Sequence, residues 1–240
     1  MKPRLPALPV VTLAAALLAG CAGSGSQAAP PAAASTVSAV PSPSSTPTPQ
    51  FPRDELQAAL AVFRTSTYTY TVTGDYRPKE KIRATGAHDP HARAATWTAK
   101  ITGGPDAGTV RQIVIGADSY RAVDGGTWRR LARTGGTVDP QDPDGLGRFA
   151  TSITMTRRTG PHAFTGDLYA LGTYPKTGFL PLGAPSLWFR QSAWLQYTAA
   201  LDEQGHVRSI RITMKTSAGT LHQNITFTGY GRPVTISKPA

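Results

Sequence analysis

The chain has 240 residues, a formal net charge of +11 and one cysteine, Cys21. A lone cysteine excludes an intramolecular disulfide, so the fold rests on an ordinary apolar core. The excess charge suggests nucleic acid. However, the basic residues are scattered and never run longer than two (Arg129-Arg130, Arg157-Arg158), and no nucleic-acid motif is present, so none is expected as partner.

The first segment has the parts of an export signal: Lys2 and Arg4, an apolar run from Val10, then Leu18-Ala19-Gly20-Cys21. A leucine and two small residues before a cysteine have the form of a bacterial lipoprotein signal. Residues 1–20 are then cleaved and Cys21 takes an acyl lipid of the palmitate kind. Losing Lys2 and Arg4 takes the charge from +11 to +9. The run from Val10 is short of the ~20 apolar residues a helix needs to span a bilayer. The lipid on Cys21 is therefore the expected membrane attachment, on the extracytoplasmic face of the cell membrane. One acyl chain binds only marginally at about 0.8 kcal/mol per buried CH₂, so more than one is expected.

Residues 21–52 carry no charge and are mostly Ala, Ser, Pro, Thr and Gly. Such a composition buries too little apolar surface to offset the entropy of ordering. It reads as a disordered, semi-extended tether. The folded domain is expected over residues 53–240. It opens with Asp54 as a helix N-cap and Gln57 completing a capping box. Leu56, Ala59, Leu60 and Phe63 then form one apolar helical face as far as about Arg64.

The period next changes to two. Tyr68, Tyr70 and Val72 share one face and Thr67, Thr69, Thr71 and Thr73 the other. Strands follow at Lys81 to Thr85, through Trp97, Ala99 and Ile101, at Val110 to Ile115, at Ser119 to Val123, and at Thr127 to Leu131. The turns between them mark antiparallel hairpins. A second, weak helix is predicted over Asp144 to Thr154, with Leu146, Phe149, Ala150 and Ile153 inward. Phe164 to Leu171 reads as a strand. Gly172 to Ser192 mixes Pro and Gly with large apolar residues, unlike a plain surface loop. Ala193 to Leu201, His206 to Thr216 and Leu221 to Thr228 are the closing strands, the first two joined at Asp202-Glu203-Gln204-Gly205.

Trp194 to Leu201 running into Asp202-Glu203-Gln204-Gly205-His206-Val207-Arg208 resembles the late hairpin of LolA-like lipoproteins of the LppX and LprG type. Phe227-Thr228-Gly229-Tyr230-Gly231-Arg232-Pro233-Val234 is similar to their closing strand. Ser119-Tyr120-Arg121 followed by Gly126-Thr127-Trp128 is similar to their middle hairpin, and Thr165-Gly166-Asp167-Leu168 to a later strand. The resemblance spans most of Arg53 to Pro239 and departs at Gly172 to Ser192. It implies an α+β fold, a curved antiparallel half-barrel whose concave face is covered by helices. It also implies an apolar space between them for acyl chains of a lipid or glycolipid.

Catalytic patterns are missing: no Gly-x-Ser-x-Gly, Ser-x-x-Lys or His-Glu-x-x-His occurs. Neither an enzyme, a metal site nor a cofactor is expected. His88 and His91 flank Asp89-Pro90 in a turn. Asp139, Asp142 and Asp144 lack the spacing of a calcium loop and its closing glutamate. Asp54-Glu55 and Asp202-Glu203 are explained by a helix start and a turn.

The cavity-lining candidates are Phe63, Tyr68, Tyr70, Trp97, Ile113, Ile115, Phe149, Ile153, Ile210, Ile212, Met214 and Phe227. Periodicity fits a packed core as well as a cavity. Two roles therefore stay open for what is expected to be a monomer. One is a membrane-anchored carrier of an acyl-chain ligand; the other is an envelope interaction or sensor lipoprotein with a filled core.

Overall fold

The computed structural model describes residues 51–131, 142, 145–170 and 193–240. The signal, Cys21, nearly all of the tether and the Gly172 to Ser192 segment lie outside the described residues.

Helix α1 spans Pro52–Ala61 and tightens into a 3₁₀ turn at Val62–Arg64. It starts three residues earlier than expected, with Pro52 in its first turn and Phe51 rather than Asp54 as N-cap. Proline there supplies the helical φ and has no N–H to leave unpaired. Asp54 consequently lies inside the first turn, where its charge and that of Glu55 face the positive end of the helix dipole. The capping box does not form. Gln57 instead donates its amide to Ala150 O at 2.8 Å, tying α1 to α2.

Six strands follow as a meander: β1 (Tyr68–Asp75), β2 (Lys81–Asp89), β3 (Ala94–Thr102), β4 (Gly108–Ile115), β5 (Asp118–Val123) and β6 (Arg129–Leu131). After α2 (Leu146–Ser152) comes a second meander: β7 (Ile153–Gly160), β8 (Ala163–Ala170), β9 (Ala193–Leu201), β10 (Val207–Thr216) and β11 (Gly219–Thr228). The two join where β1 pairs with β11, giving one eleven-stranded sheet in the order β6-β5-β4-β3-β2-β1-β11-β10-β9-β8-β7. All neighbours are antiparallel and the sheet is open, with β6 and β7 at its edges.

Two expectations are corrected here. Helix α2 stops at Ser152, because Ile153 is already extended (φ −64°, ψ 119°) and opens β7. Its side chain is still buried, but from the sheet. The polar run of β7, a strand the sequence reading left out, hides the alternation. In β4 the core face carries Val110, Gln112 and Val114, and puts Ile113 and Ile115 on the outer face, half-buried. The buried Gln112 donates its Nε2 to Ser119 Oγ at 3.0 Å, and its Oε1 has no partner among the described residues.

The face carrying Tyr68, Tyr70 and Val72 is the core face. Its buried residues form one cluster with Leu56, Ala59, Leu60 and Phe63 of the first helix and Leu146, Phe149 and Ala150 of α2. Phe63 sits 4.8 Å from the Tyr68 ring and 4.7 Å from that of Phe227, and Phe149 meets Tyr197 edge-on at 5.5 Å. Arg158 of β7 pairs with Glu55 of α1 and lies over the Phe164 ring.

Tyr230 closes the cluster beyond β11. Its hydroxyl donates to Val207 O at 2.7 Å and its ring stacks on His206. Burial pushes the Tyr230 phenol well above its ordinary pKa, and burial likewise raises Tyr197 and Tyr76. Below about pH 10 these phenols are protonated whether the chain is folded or not. Above it the unfolded chain loses the protons first, so stability falls as pH rises. Urea midpoints from pH 8 to 11 are expected to hold steady and then drop past pH 10, with a shallower drop in Tyr230→Phe. A flat profile to pH 11 would contradict the burial of these phenols.

Candidate functional site

The site is the gap where α1 and α2 meet the β2–β3 turn. A cleft of about 660 Å³ opens there, within the size of small-ligand pockets. Leu60 and Phe63 of the first helix, with Leu146 and Ala150 of α2, make its apolar floor. Their spacing repeats every three or four residues, which turns them to one side of each helix. Arg64, Arg93 and Arg148 stand around this floor, with Asp142 the one acid among the described lining residues.

Each arginine is placed by a local device. Arg64 ends the 3₁₀ turn, where a cation complements the exposed carbonyls of the helix end. Arg93 lies in the β2–β3 turn with φ 50°, a left-handed conformation that costs an ordinary residue roughly 1–2 kcal/mol. Its carbonyl accepts Gly116 N–H at 2.9 Å, which fixes the turn against the end of β4. Arg148 is held from Asp142: the carboxylate accepts the backbone N–H of Gly147 and of Arg148, both at 2.9 Å, and lies 4.0 Å from the Arg148 side chain. Asp142 is thus a helix cap rather than a calcium ligand. No group of three or more metal-ligating side chains occurs among the described residues.

His88 closes the inner wall. Its Nδ1 shares a hydrogen bond with Tyr68 Oη at 2.8 Å, and the two rings meet edge-on. The expected turn at His88 begins later, because β2 runs on through Asp89, whose carboxylate caps the N–H groups of His91 and Ala92. Among acids in pairs, Glu55 is taken by Arg158, and Asp202 caps its own turn by accepting Gln204 and His206 N–H.

Of the predicted lining residues, only Phe63 borders the cleft. Tyr68, Tyr70, Trp97, Phe149, Ile153, Ile210, Ile212, Met214 and Phe227 join the packed cluster beneath it, and Ile113 and Ile115 lie across the sheet. The cleft cations escaped the sequence reading. They sit on a 3₁₀ turn, a hairpin and a second helix, and no spacing relates the three. What the arrangement offers is an apolar floor with guanidinium groups around it, which can meet an apolar chain and an anionic group together.

The sequence matches no protein-family model and no curated protein. Among solved structures, the chain is similar to the crystal structure of a beta-barrel-like protein of domain of unknown function DUF1849 from Brucella abortus. Identity is 10%, the match covers 69% of this chain and 96% of that one, and the TM-score is 0.24, too slight a likeness to argue from.

Proposed function

We propose that the chain is a membrane-anchored extracytoplasmic lipoprotein, tethered through an acylated Cys21, that holds an acyl-chain ligand with an anionic headgroup at the α1–α2 cleft. The observation that carries this reading is the cleft itself: an apolar floor of Leu60, Phe63, Leu146 and Ala150 beneath Arg64, Arg93 and Arg148. Apolar burial supplies about 25 cal/mol per Å² for a chain laid on that floor. The guanidinium groups supply directed donors for a phosphate or carboxylate. On this reading the sheet is a LolA-like half-barrel with its helices over the concave face, and the cleft is the mouth between those helices.

A second reading keeps the same anchor but has no ligand. It is favoured by the ring contacts of Phe63 with Tyr68 and Phe227, which fill the space under the first helix. Mass spectrometry of protein purified from the membrane fraction separates the two. The first reading expects an N-terminal peptide that starts at an acylated Cys21 and a stoichiometric acyl lipid in the organic extract. An acylated Cys21 with a lipid-free extract would leave only the second reading, and an unmodified, uncleaved Cys21 would sink both.

A further inference from the structure

Outside the cleft, the largest regular feature is the outer face of the sheet. The β1 alternation that sends Tyr68, Tyr70 and Val72 inward sends Thr69, Thr71 and Thr73 outward. Register then lines up their neighbours. Thr226, Thr71, Thr85 and Thr98 stand directly opposite one another on β11, β1, β2 and β3. All four are exposed, and adjacent strands place them roughly 4.8 Å apart. A shallow depression of about 430 Å³ crosses these strands, walled by Thr69, Thr71, Thr85, Thr96, Thr98 and Thr228. Thr69 and Thr228 share a hydroxyl contact at 2.9 Å and Thr96 donates to Gln112 O. The hydroxyls of Thr71, Thr85 and Thr98 have no partner among the described residues.

Strand propensity alone accounts for threonine on an exposed sheet face. It does not account for the row beside it. One step along the strands, roughly 7 Å away, the register aligns Arg211, Asn224, Thr73, Arg83 and Lys100 across β10, β11, β1, β2 and β3. Arg211, Arg83 and Lys100 are exposed, and no described carboxylate reaches them. The nearby acids are engaged: Asp75 with Lys81 and the His222 N–H, and Asp124, two strands beyond Lys100, with the Thr109 N–H. The face is therefore a hydroxyl row beside an unbalanced cation row.

We infer that this outer face is a second binding surface, for an extended anionic polysaccharide laid across the strands. The threonine hydroxyls donate to and accept from sugar hydroxyls at the strand spacing, and Arg211, Arg83 and Lys100 meet its carboxylates or phosphates. A membrane surface fits less well. Insertion needs apolar side chains, and the described exposed large ones (Phe51, Val123 and Trp194) lie outside both rows. Bound this way, the tethered chain would be held against a wall polymer with the cleft, on the other side of the sheet, left open.

The test uses the full chain in nonionic detergent, with polygalacturonate as probe and uncharged dextran as control. Thr71→Val/Thr85→Val/Thr98→Val keeps the β-branched shape and removes only hydroxyls; Arg83→Gln/Lys100→Gln removes only charge. Circular dichroism checks that each is folded. The expected result is binding to polygalacturonate and not dextran, weakened at least about tenfold by the threonine set, as three lost hydrogen bonds imply, and at least as much by the charge set. Three results would overturn the inference. One is no binding; another is loss with the charge set but none with the threonine set, which is unspecific attraction. The third is complete displacement of the polymer by phosphatidylglycerol in the micelle, which makes a membrane the occupant.

Discussion

Phe63→Ala is expected to lower the unfolding free energy by about 3–5 kcal/mol, the range for deleting a buried aromatic side chain. Phe63 is 3% exposed and is the residue through which the 3₁₀ turn enters the sheet. Three rings surround it: Tyr68 at 4.8 Å, Phe227 at 4.7 Å and Tyr230 at 5.8 Å. Tyr68 belongs to β1 and Phe227 to β11, the pair that joins the two meanders, so the ring spans the seam of the sheet. Alanine would leave a void that these rings cannot close without breaking strand register. Thermal unfolding is expected to move down by roughly 6–20 °C, taking about 2–4 °C per kcal/mol for a domain of this size. A shift under 2 °C would mean the ring does not hold the first helix to the seam. Phe63→Leu keeps most of the volume and is expected to cost less than half as much.

Gly166→Ala should be nearly as damaging, by about 3 kcal/mol, the upper part of the usual overpacking range. The reason is backbone, not side chain. A Cβ built on Gly166 lies 1.9 Å from Met155 O and 2.8 Å from a carbon of the Tyr197 ring. The β7–β8 register slips between Ile153 and Met155, and this irregularity brings the Met155 carbonyl over Gly166. The same carbonyl accepts from Tyr197 Oη at 3.2 Å, and Thr156 Oγ1 approaches that hydroxyl at 2.7 Å. Adding one methyl would push out the carbonyl and the tyrosine that ties three strands together. Urea denaturation should show a lower midpoint with unchanged slope. An unaffected midpoint would mean the close approach of β7 to β8 is absent.

The fold was legible where period and punctuation agree. In β9 to β11 the turn at Asp202 to Gly205 sits between two alternating runs, and the side chain of Asp202 does what a turn acid does. It failed where either signal was ambiguous. Val110 to Ile115 carries one polar residue on each face, Arg111 beside Ile113 and Ile115 and Gln112 beside Val110 and Val114. Alternation therefore does not choose the inner side, and the two isoleucines were placed inward. The buried Gln112, whose Nε2 donates to Ser119 while its Oε1 has no partner among the described residues, reverses that choice. Ile153 matched the helical repeat of Leu146, Phe149 and Ala150, so β7 was lost to the helix. Asp54 and Gln57 had the right spacing for a capping box, but Pro52 starts the helix earlier and shifts both out of position.

The site was less legible for a different reason. Apolar stripes announce which residues leave water, not whether they enclose space. Ten of the twelve predicted lining residues are in the buried cluster, yet the opening lies above them. The cleft depends on where two helices stop and on a left-handed Arg93, neither of which leaves a periodic trace.

The cleft is the central claim, and labelling with a diazirine-bearing palmitate tests it most directly. After photolysis of the full chain in detergent, the crosslinks are expected on the cleft lining, around Leu60, Phe63, Leu146 and Ala150. Arg64→Glu/Arg93→Glu should reduce the yield at least fivefold, because reversing two rim charges sets them against the carboxylate at a cost of about 1 kcal/mol or more. Labels concentrated on other surfaces, or a yield unchanged by the double charge reversal, would contradict the assignment of the α1–α2 cleft as an acyl-ligand site.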